Sequence, residues 1–342
     1  MTTIEQDAKD EAPHGEAPRR RGLESFSGSP LQVFSRYATL IALVLMVIVF
    51  SIHSPKAFFT LDNFLNILSQ SSLIGLISGG LTITLIVGEF DLSIGYMASL
   101  AGLLMPGLMS LQGLSITFAL IVTLLVGASV GAVNGLLVAK ARINSVVATL
   151  GVGTMLVGAS YTYTNGQPIA AGVPTAFLNF AVDKVIGIPN PVIVAAAVLG
   201  FLWVILNFTD LGQRLLAVGG NPEAARMSGI AVDRIKIFAL VISGVLAALT
   251  GVMLSSLIGS GTIAAADGYL LSAFAAVFLG SATLRDGEFH ILGTVIGVIF
   301  INTGINGLSI FGVPTSYQNI FTGGILVLAV GLSTVARRVA AR

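Results

Sequence analysis

The sequence predicts an all-α polytopic membrane protein of about ten transmembrane helices, arranged as two inverted halves of five. Three observations carry this. The 342 residues are 55% hydrophobic and only 10% charged, with a mean hydropathy of +0.94, whereas a soluble domain carries about 25% charged residues. The apolar residues fall in runs of about 20, the length a helix needs to cross roughly 30 Å of hydrocarbon and longer than a barrel strand. The basic residues gather in alternate connections between those runs, as they do when short loops resist translocation.

Residues 1 to 30 mix Glu5, Asp7, Asp10, Glu11, Glu16 and Glu24 with Lys9 and Arg19, Arg20 and Arg21. Few large apolar residues interrupt them, so 1–35 reads as a disordered cytoplasmic tail. The first apolar run begins near Tyr37 and no small-residue cleavage site closes it, so it stays as an anchor rather than a signal peptide.

Apolar runs follow at about 37–53, 64–87, 94–111, 114–138, 146–163, 189–208, 237–258, 269–284, 290–310 and 318–336. The fifth and eighth are short or interrupted by glycine, so nine or eleven spans, or a re-entrant segment, also fit. With the N-terminus cytoplasmic, 15 of the 17 basic residues lie inside and only Lys56 and Lys184 outside. Ten spans with both termini inside split into five and five, and an odd number per half inverts the second. Asn134-Gly135-Leu136 near the end of the fourth run and Asn306-Gly307-Leu308 near the end of the ninth are a faint echo of such a repeat.

This orientation makes 209–236 the largest cytoplasmic loop of a transmembrane domain spanning 36–338. Within it lies AVGGNPEAARMSGI, from Ala217 to Ile230. Asn221 is a good N-cap, Pro222 suits the first helical position, and Gly229 is a good stop. The helix between them, with Glu223, Ala224, Ala225, Arg226 and Ser228, has room for about two turns.

Glycines at intervals of four (Gly75 and Gly79; Gly127, Gly131 and Gly135; Gly293 and Gly297) let helix backbones approach closely. They serve either bundle packing or a surface that slides between two states. Glu89 and Asp91, in IVGEFDLSIGYM, interrupt the apolar sequence between the second and third runs. They are either functional carboxylates or parts of an interfacial turn in which Asp91 and Ser93 cap the third helix. Asn144, Ser145 and Thr149 at the start of the fifth run, and Asn302 and Asn306 on the ninth, offer hydrogen bonds either to a polar solute or to neighbouring helices.

Several chemistries are missing. There is no Gly-x-x-x-x-Gly-Lys-Ser/Thr loop for nucleotide phosphates, no His-Glu-x-x-His and no Gly-x-Ser-x-Gly. Cysteine is absent, and His14, His53 and His290 are scattered. No catalytic centre, metal site or nucleic-acid partner is expected. An ion-coupled carrier using Glu89 and Asp91 stays open, but it leaves the polar helix without a task.

Four stretches, VGEFDLSIGYMASLAG, AVNGLLVAKARINSVVATLGVGTM, GQRLLAVGGNPEAARMSGIAVDRIKIFALVISGVLAALTGVM and ILGTVIGVIFINTGINGL, occur in this order. Through them the chain from about Tyr37 to Arg338 resembles the permease subunits of bacterial ABC importers for monosaccharides, the ribose and xylose type. The resemblance implies a multi-pass permease of the cytoplasmic membrane that works as a dimer of two identical or similar copies. It also implies separate cytoplasmic ATPase subunits that hold the ATP and magnesium, and a periplasmic or lipid-tethered sugar-binding protein. Pro222 to Ser228 would be the coupling helix, capped by Asn221, with Glu223 and Arg226 as surface contacts on the ATPase.

The chain departs from that pattern in three places. Gly88-Glu89-Phe90-Asp91-Leu92-Ser93 stands where the family commonly has Gly-Gly-Ile-Asp-Leu-Ser. Gly268-Tyr269-Leu270-Leu271-Ser272-Ala273 stands where Gly-Tyr-Glu-Leu-Asp-Ala is usual, and SATLRDGEFH replaces a glycine-rich turn. The expected function is import of a monosaccharide or related polyol. Nucleosides and branched-chain amino acids are the alternatives within the superfamily.

Overall fold

The computed structural model describes the backbone of residues 30–284 and 287–340, and the side chains of 37–284 and 287–331. The whole of the tail read as 1–35, and Arg36, Arg285, Arg337, Arg338 and Arg342, fall outside what is described for side chains. Each apolar run forms a helix: α1 (Pro30–His53), α2 (Leu61–Ile86), α3 (Ile94–Ser110), α4 (Ile116–Ala139), α5 (Ser145–Thr164), α7 (Asn190–Phe208), α10 (Val232–Ile258), α11 (Tyr269–Ser281), α12 (Ile291–Ile310) and α13 (Thr315–Ala340). Between them lie α6 (Thr175–Phe180), the hairpin β1 (Lys184–Val185) and β2 (Ile188–Pro189), α8 (Asp210–Gly220) and α9 (Pro222–Met227). α1 starts at Pro30, inside the stretch read as tail.

Among the described residues six helices, α2, α4, α5, α7, α10 and α12, are long and apolar enough to cross a membrane. Tyr37–His53, α3 and α11 are shorter apolar helices. α3 spans 17 residues, matching its apolar run, and takes Pro106 into its last turns. The fifth run, read as short or interrupted by glycine, forms a continuous 20-residue helix, and Asn144 caps it, accepting from the backbone N–H of Val146 at 3.0 Å and of Val147 at 3.4 Å.

α2 and α10 form the centre. From Ile67 onward nearly every α2 residue is buried, including Ser78, Thr82 and Thr84, and the larger core draws on α2, α3, α7, α8 and α10. α10 packs against α2, α3 and α4, while α12 packs against α2 and α11, and α13 against α11. Large apolar residues on α1, α4, α5, α7 and α13, such as Val44, Leu125, Met155, Phe201 and Val327, stay exposed around the rim, the face a bilayer would cover.

The glycines make the close packing possible. A methyl group at Gly127 would meet Ala248 and Gly244, one at Gly131 would meet Leu240 and Val241, and one at Gly135 would meet Ile237, all on α10. Gly102 on α3 faces Gly251 on α10, and Gly293 on α12 faces Gly280 on α11. These rows serve backbone-to-backbone packing in this structure.

The ends of the bundle differ. At one end, here called the basic end, α2 and α4 finish, α5 and α10 begin, and Lys140, Arg142, Arg226 and Lys236 gather. At the other, α6 lies against α10, and β2 lies against α2 and α7. Ser256 Oγ donates to Phe177 O at 2.6 Å and accepts from Ala181 N at 3.0 Å, and a single bridge pairs Ile169 with Gly261.

Candidate functional site

The basic end combines three features: the α8–α9 pair, a charge cluster, and the break between α2 and α3. The break, residues 87–93, turns the chain from one helix into the next and is held from several sides. Ser145 Oγ accepts from Phe90 N at 3.2 Å, and Thr149 Oγ1 accepts from Leu92 N at 2.9 Å. The hydroxyls of α5 thus supply acceptors for backbone N–H groups that no helix satisfies. Phe90 stacks on Phe274 of α11, with ring centroids 6.2 Å apart, and Phe274 stacks on Phe278 in turn.

Asp91 is 1% exposed. Its Oδ1 accepts from Ser93 N at 3.0 Å and from Ser93 Oγ at 2.6 Å. Asn134 Nδ2 of α4 donates to Ser93 Oγ at 2.9 Å. Ser93 precedes α3 without a side-chain cap bond: its backbone is already helical, at φ −82° and ψ −11°, and its Oγ accepts from Asn134 instead. Asp91 takes over the turn, and the cluster joins the break to α4.

Glu89 forms an ion pair with Lys236 of α10. Nearer to solvent, Asp233 accepts from Lys140 Nζ at 3.2 Å through Oδ2 and from Arg226 Nη2 at 3.1 Å through Oδ1. One carboxylate at the start of α10 therefore joins the end of α4 to α9. Glu89, Lys236, Asp233 and Arg226, with Arg142, Asn144, Ser145 and Pro222, wall a cavity of about 510 Å³.

α9 forms where its caps require. Asn221 Oδ1 accepts from Glu223 N and Ala224 N, each at 3.0 Å, and Gly229, with φ 82°, ends it in the left-handed region. Ala225 is buried and packs into the main core, whereas Met227 is 91% exposed. α8, which precedes it, has no counterpart in the sequence reading. Its Leu215 and Val218 enter the core, and Gly219 lies so close to Ile86 O that a Cβ has no room.

Of the predicted polar residues, Glu89, Asp91, Ser93, Ser145 and Thr149 come together at the break, with Asn144 at the cavity wall. Asn302 and Asn306 do not join them. Asn302 donates to Val298 O at 3.1 Å within its own helix, and Asn306 exchanges two amide bonds with Asn63 of α2, at 3.1 and 2.9 Å. Two residues escaped the sequence reading. Asn134 appeared only as part of a faint repeat, and Asp267, before α11, accepts from Ser99 Oγ of α3 at 2.8 Å. The only signal for Asp267 was a carboxylate beside Gly268 at the edge of an apolar run.

These features define a multi-pass α-helical membrane protein whose packed core ends in a polar, charge-latched cavity beside a short capped helix. The chain belongs to the family described as branched-chain amino acid transport system / permease component, which matches residues 63–330. It is similar to the ribose import permease protein of Haemophilus influenzae, 35% identical over 295 residues covering 85% of this chain and 91% of the relative. The ribose import permease protein of Bacillus subtilis is 37% identical over 299 residues, 87% of this chain and 92% of that protein. The D-allose transport system permease protein of Escherichia coli is 34% identical over 299 residues, 87% and 91% of the two chains. No solved structure matches.

Proposed function

We propose that the chain is the permease subunit of an ATP-driven importer that moves a monosaccharide or related polyol across the cytoplasmic membrane by alternating access. The observation that carries this reading is α9, a capped helix at the basic end with Met227 standing out from it, on a chain akin over most of its length to ribose and D-allose permeases. The named solutes of these relatives favour a sugar over an amino acid or nucleoside.

In this reading the ten helices that follow the apolar runs are all spans, and both termini are cytoplasmic. The 15-to-2 division of basic residues supports the orientation. The packing supports two inverted halves, the first α1 to α5 and the second α7, α10, α11, α12 and α13. Contacts of α4 with α10 have their counterpart in α12 with α2, those of α3 with α10 in α11 with α2, and those of α3 with α5 in α11 with α13.

α9 acts as the coupling helix, and docks into a pair of separate ATPase subunits that carry the ATP and magnesium. Glu223, Arg226 and Met227 face that partner, with Ala225 anchoring the helix to the bundle. A periplasmic or lipid-tethered sugar-binding protein delivers the solute, and a second copy or paralogue completes the permease. Glu89, Asp91, Ser93, Ser145 and Thr149 form the cytoplasmic end of the pathway, and Asn302 and Asn306 line up helices deeper in it.

The test is reconstitution in liposomes with and without the ATPase and the binding protein, following uptake of radiolabelled ribose, allose and xylose. ATP-dependent uptake that needs all components is expected. Uptake by the isolated chain driven by an imposed ion gradient would overturn the reading.

A further inference from the structure

The connection from α10 to α11 dips into the bundle. Apart from the bridge of Gly261 to Ile169, residues 259–268 form neither helix nor strand. From that bridge, at the end opposite the basic end, the chain runs down the side of α3. Gly261 lies against Gly102 and Leu103, Ala266 N donates to Ser99 Oγ at 3.0 Å, and Gly95 faces the carbonyls of Ala266 and Asp267. Ser99 precedes the end of α3 by about three turns, so Asp267 lies roughly 16 Å inside the bundle from that helix end. α11 starts only at this depth and is 13 residues long.

Irregular backbone persists at membrane depth only where protein buries it or where it lines water. Ala266 is 0% exposed, whereas Asp267 is half-buried. The buried Ser99 gives its one hydroxyl proton to Asp267 Oδ1 at 2.8 Å and takes the Ala266 N–H on its lone pair. This fixes the direction of the carboxylate. Among the described residues no cation pairs with it. A lone charge turned toward lipid is costly. Its open side therefore faces a wet chamber that leads to the end opposite the basic end.

The two breaks are counterparts in the inverted pairing of α3 with α11. Each places an aspartate before its helix, and each aspartate receives a serine hydroxyl, Ser93 for Asp91 and Ser99 for Asp267. Asp91 is sealed, at 1% exposure, which leaves Asp267 as the one open to a solute.

We propose that Asp267 binds the solute in this chamber, with Ser99 as its positioning residue. The carboxylate accepts hydroxyl hydrogens from a neutral, polyhydroxylated solute and turns away anionic sugars, such as sugar acids and sugar phosphates. The proposal rests on the sugar-import reading and deepens it.

The experiment uses the complete transporter, with its ATPase and binding protein, in right-side-out vesicles. The chain has no cysteine, so Asp267→Cys offers a single thiol. A charged, membrane-impermeant thiosulfonate added outside should label it, and no labelling from that side overturns the chamber. With the binding protein saturated by ribose, Asp267→Asn should slow uptake at least about tenfold, and Asp267→Glu less. Ser99→Ala should slow it too, and Ser99→Thr, which keeps the hydroxyl, should restore it. Should Asp267→Asn fail to fold, the labelling and the Ser99 pair decide. Wild-type uptake that Asp267→Asn leaves unchanged overturns this proposal alone. Absence of uptake by the wild type overturns the import reading, and this proposal with it.

Discussion

Lys236, in the first turns of α10, closes an ion pair on Glu89, a residue 147 positions earlier in the α2–α3 break. The two side chains are 21% and 12% exposed, against 61% and 34% for Lys140 and Asp233. Shielding from water decides how much each pair contributes. Lys236→Met should therefore lower stability by about 1–3 kcal/mol, and Lys140→Ala by under about 1 kcal/mol. Thermal denaturation in detergent measures both, and equal losses would rule out this ranking.

The glycine rows predict a sharp positional contrast. A Cβ at Gly131 would lie 2.7 Å from Val241 Cα, a backbone atom that cannot turn aside, whereas nothing lies within 4 Å of one at Gly151. Gly131→Ala should cost about 1–3 kcal/mol by overpacking. Gly151→Ala should be neutral or slightly stabilising, since alanine favours helix. The yield of monodisperse protein and its melting temperature report the difference.

α9 predicts a pattern of crosslinks. With no native cysteine, Met227→Cys should crosslink to a cysteine in the groove of the ATPase, and Ala225→Cys, buried against the bundle, should not. Asn221→Ala removes the acceptor for two backbone N–H groups and should cost about 1 kcal/mol of local stability, read as lower ATP-driven uptake with the solute affinity of the binding protein unchanged. Crosslinking at 225 and not at 227 would reverse the assignment of faces.

Asn63 and Asn306 predict a measurable coupling. Two reciprocal amide bonds join α2 to α12, and polar contacts between membrane helices average about 0.6 kcal/mol, with a ceiling near 1.7. A double-mutant cycle with alanine at both positions should give a coupling inside that range. Strict additivity would mean that the pair does not hold the helices together.

Much of the fold was legible because hydrocarbon imposes a length and an apolar composition on anything that crosses it. The cap of α9 was legible too, since Asn221 begins that helix as the local sequence requires, whereas Asn144, read as a contact to solute or helix, caps α5. α8 was hidden because Gly219 and Gly220 look like a loop, and the reason for Gly219 is the carbonyl of Ile86, far away in sequence. Ser145 and Thr149 fitted a solute or a neighbouring helix equally well, and they hold the backbone of residues 90 and 92 across separations of 55 and 57 residues. Nor could a helix of six residues reveal, by periodicity, that Ala225 turns in and Met227 out. In each case the missing information was which distant element would lie alongside.

Where Gly127 meets Gly244 and Gly102 meets Gly251, peptide planes touch with no side chain between them. Pulling α10 away from α3 or α4 would open bare slots that nothing nearby could fill. Those three helices are bound to travel as one slab. Any give in the molecule must come where a cushion of leucine intervenes, as Leu199 and Leu202 of α7 do against Gly75 and Gly79 of α2.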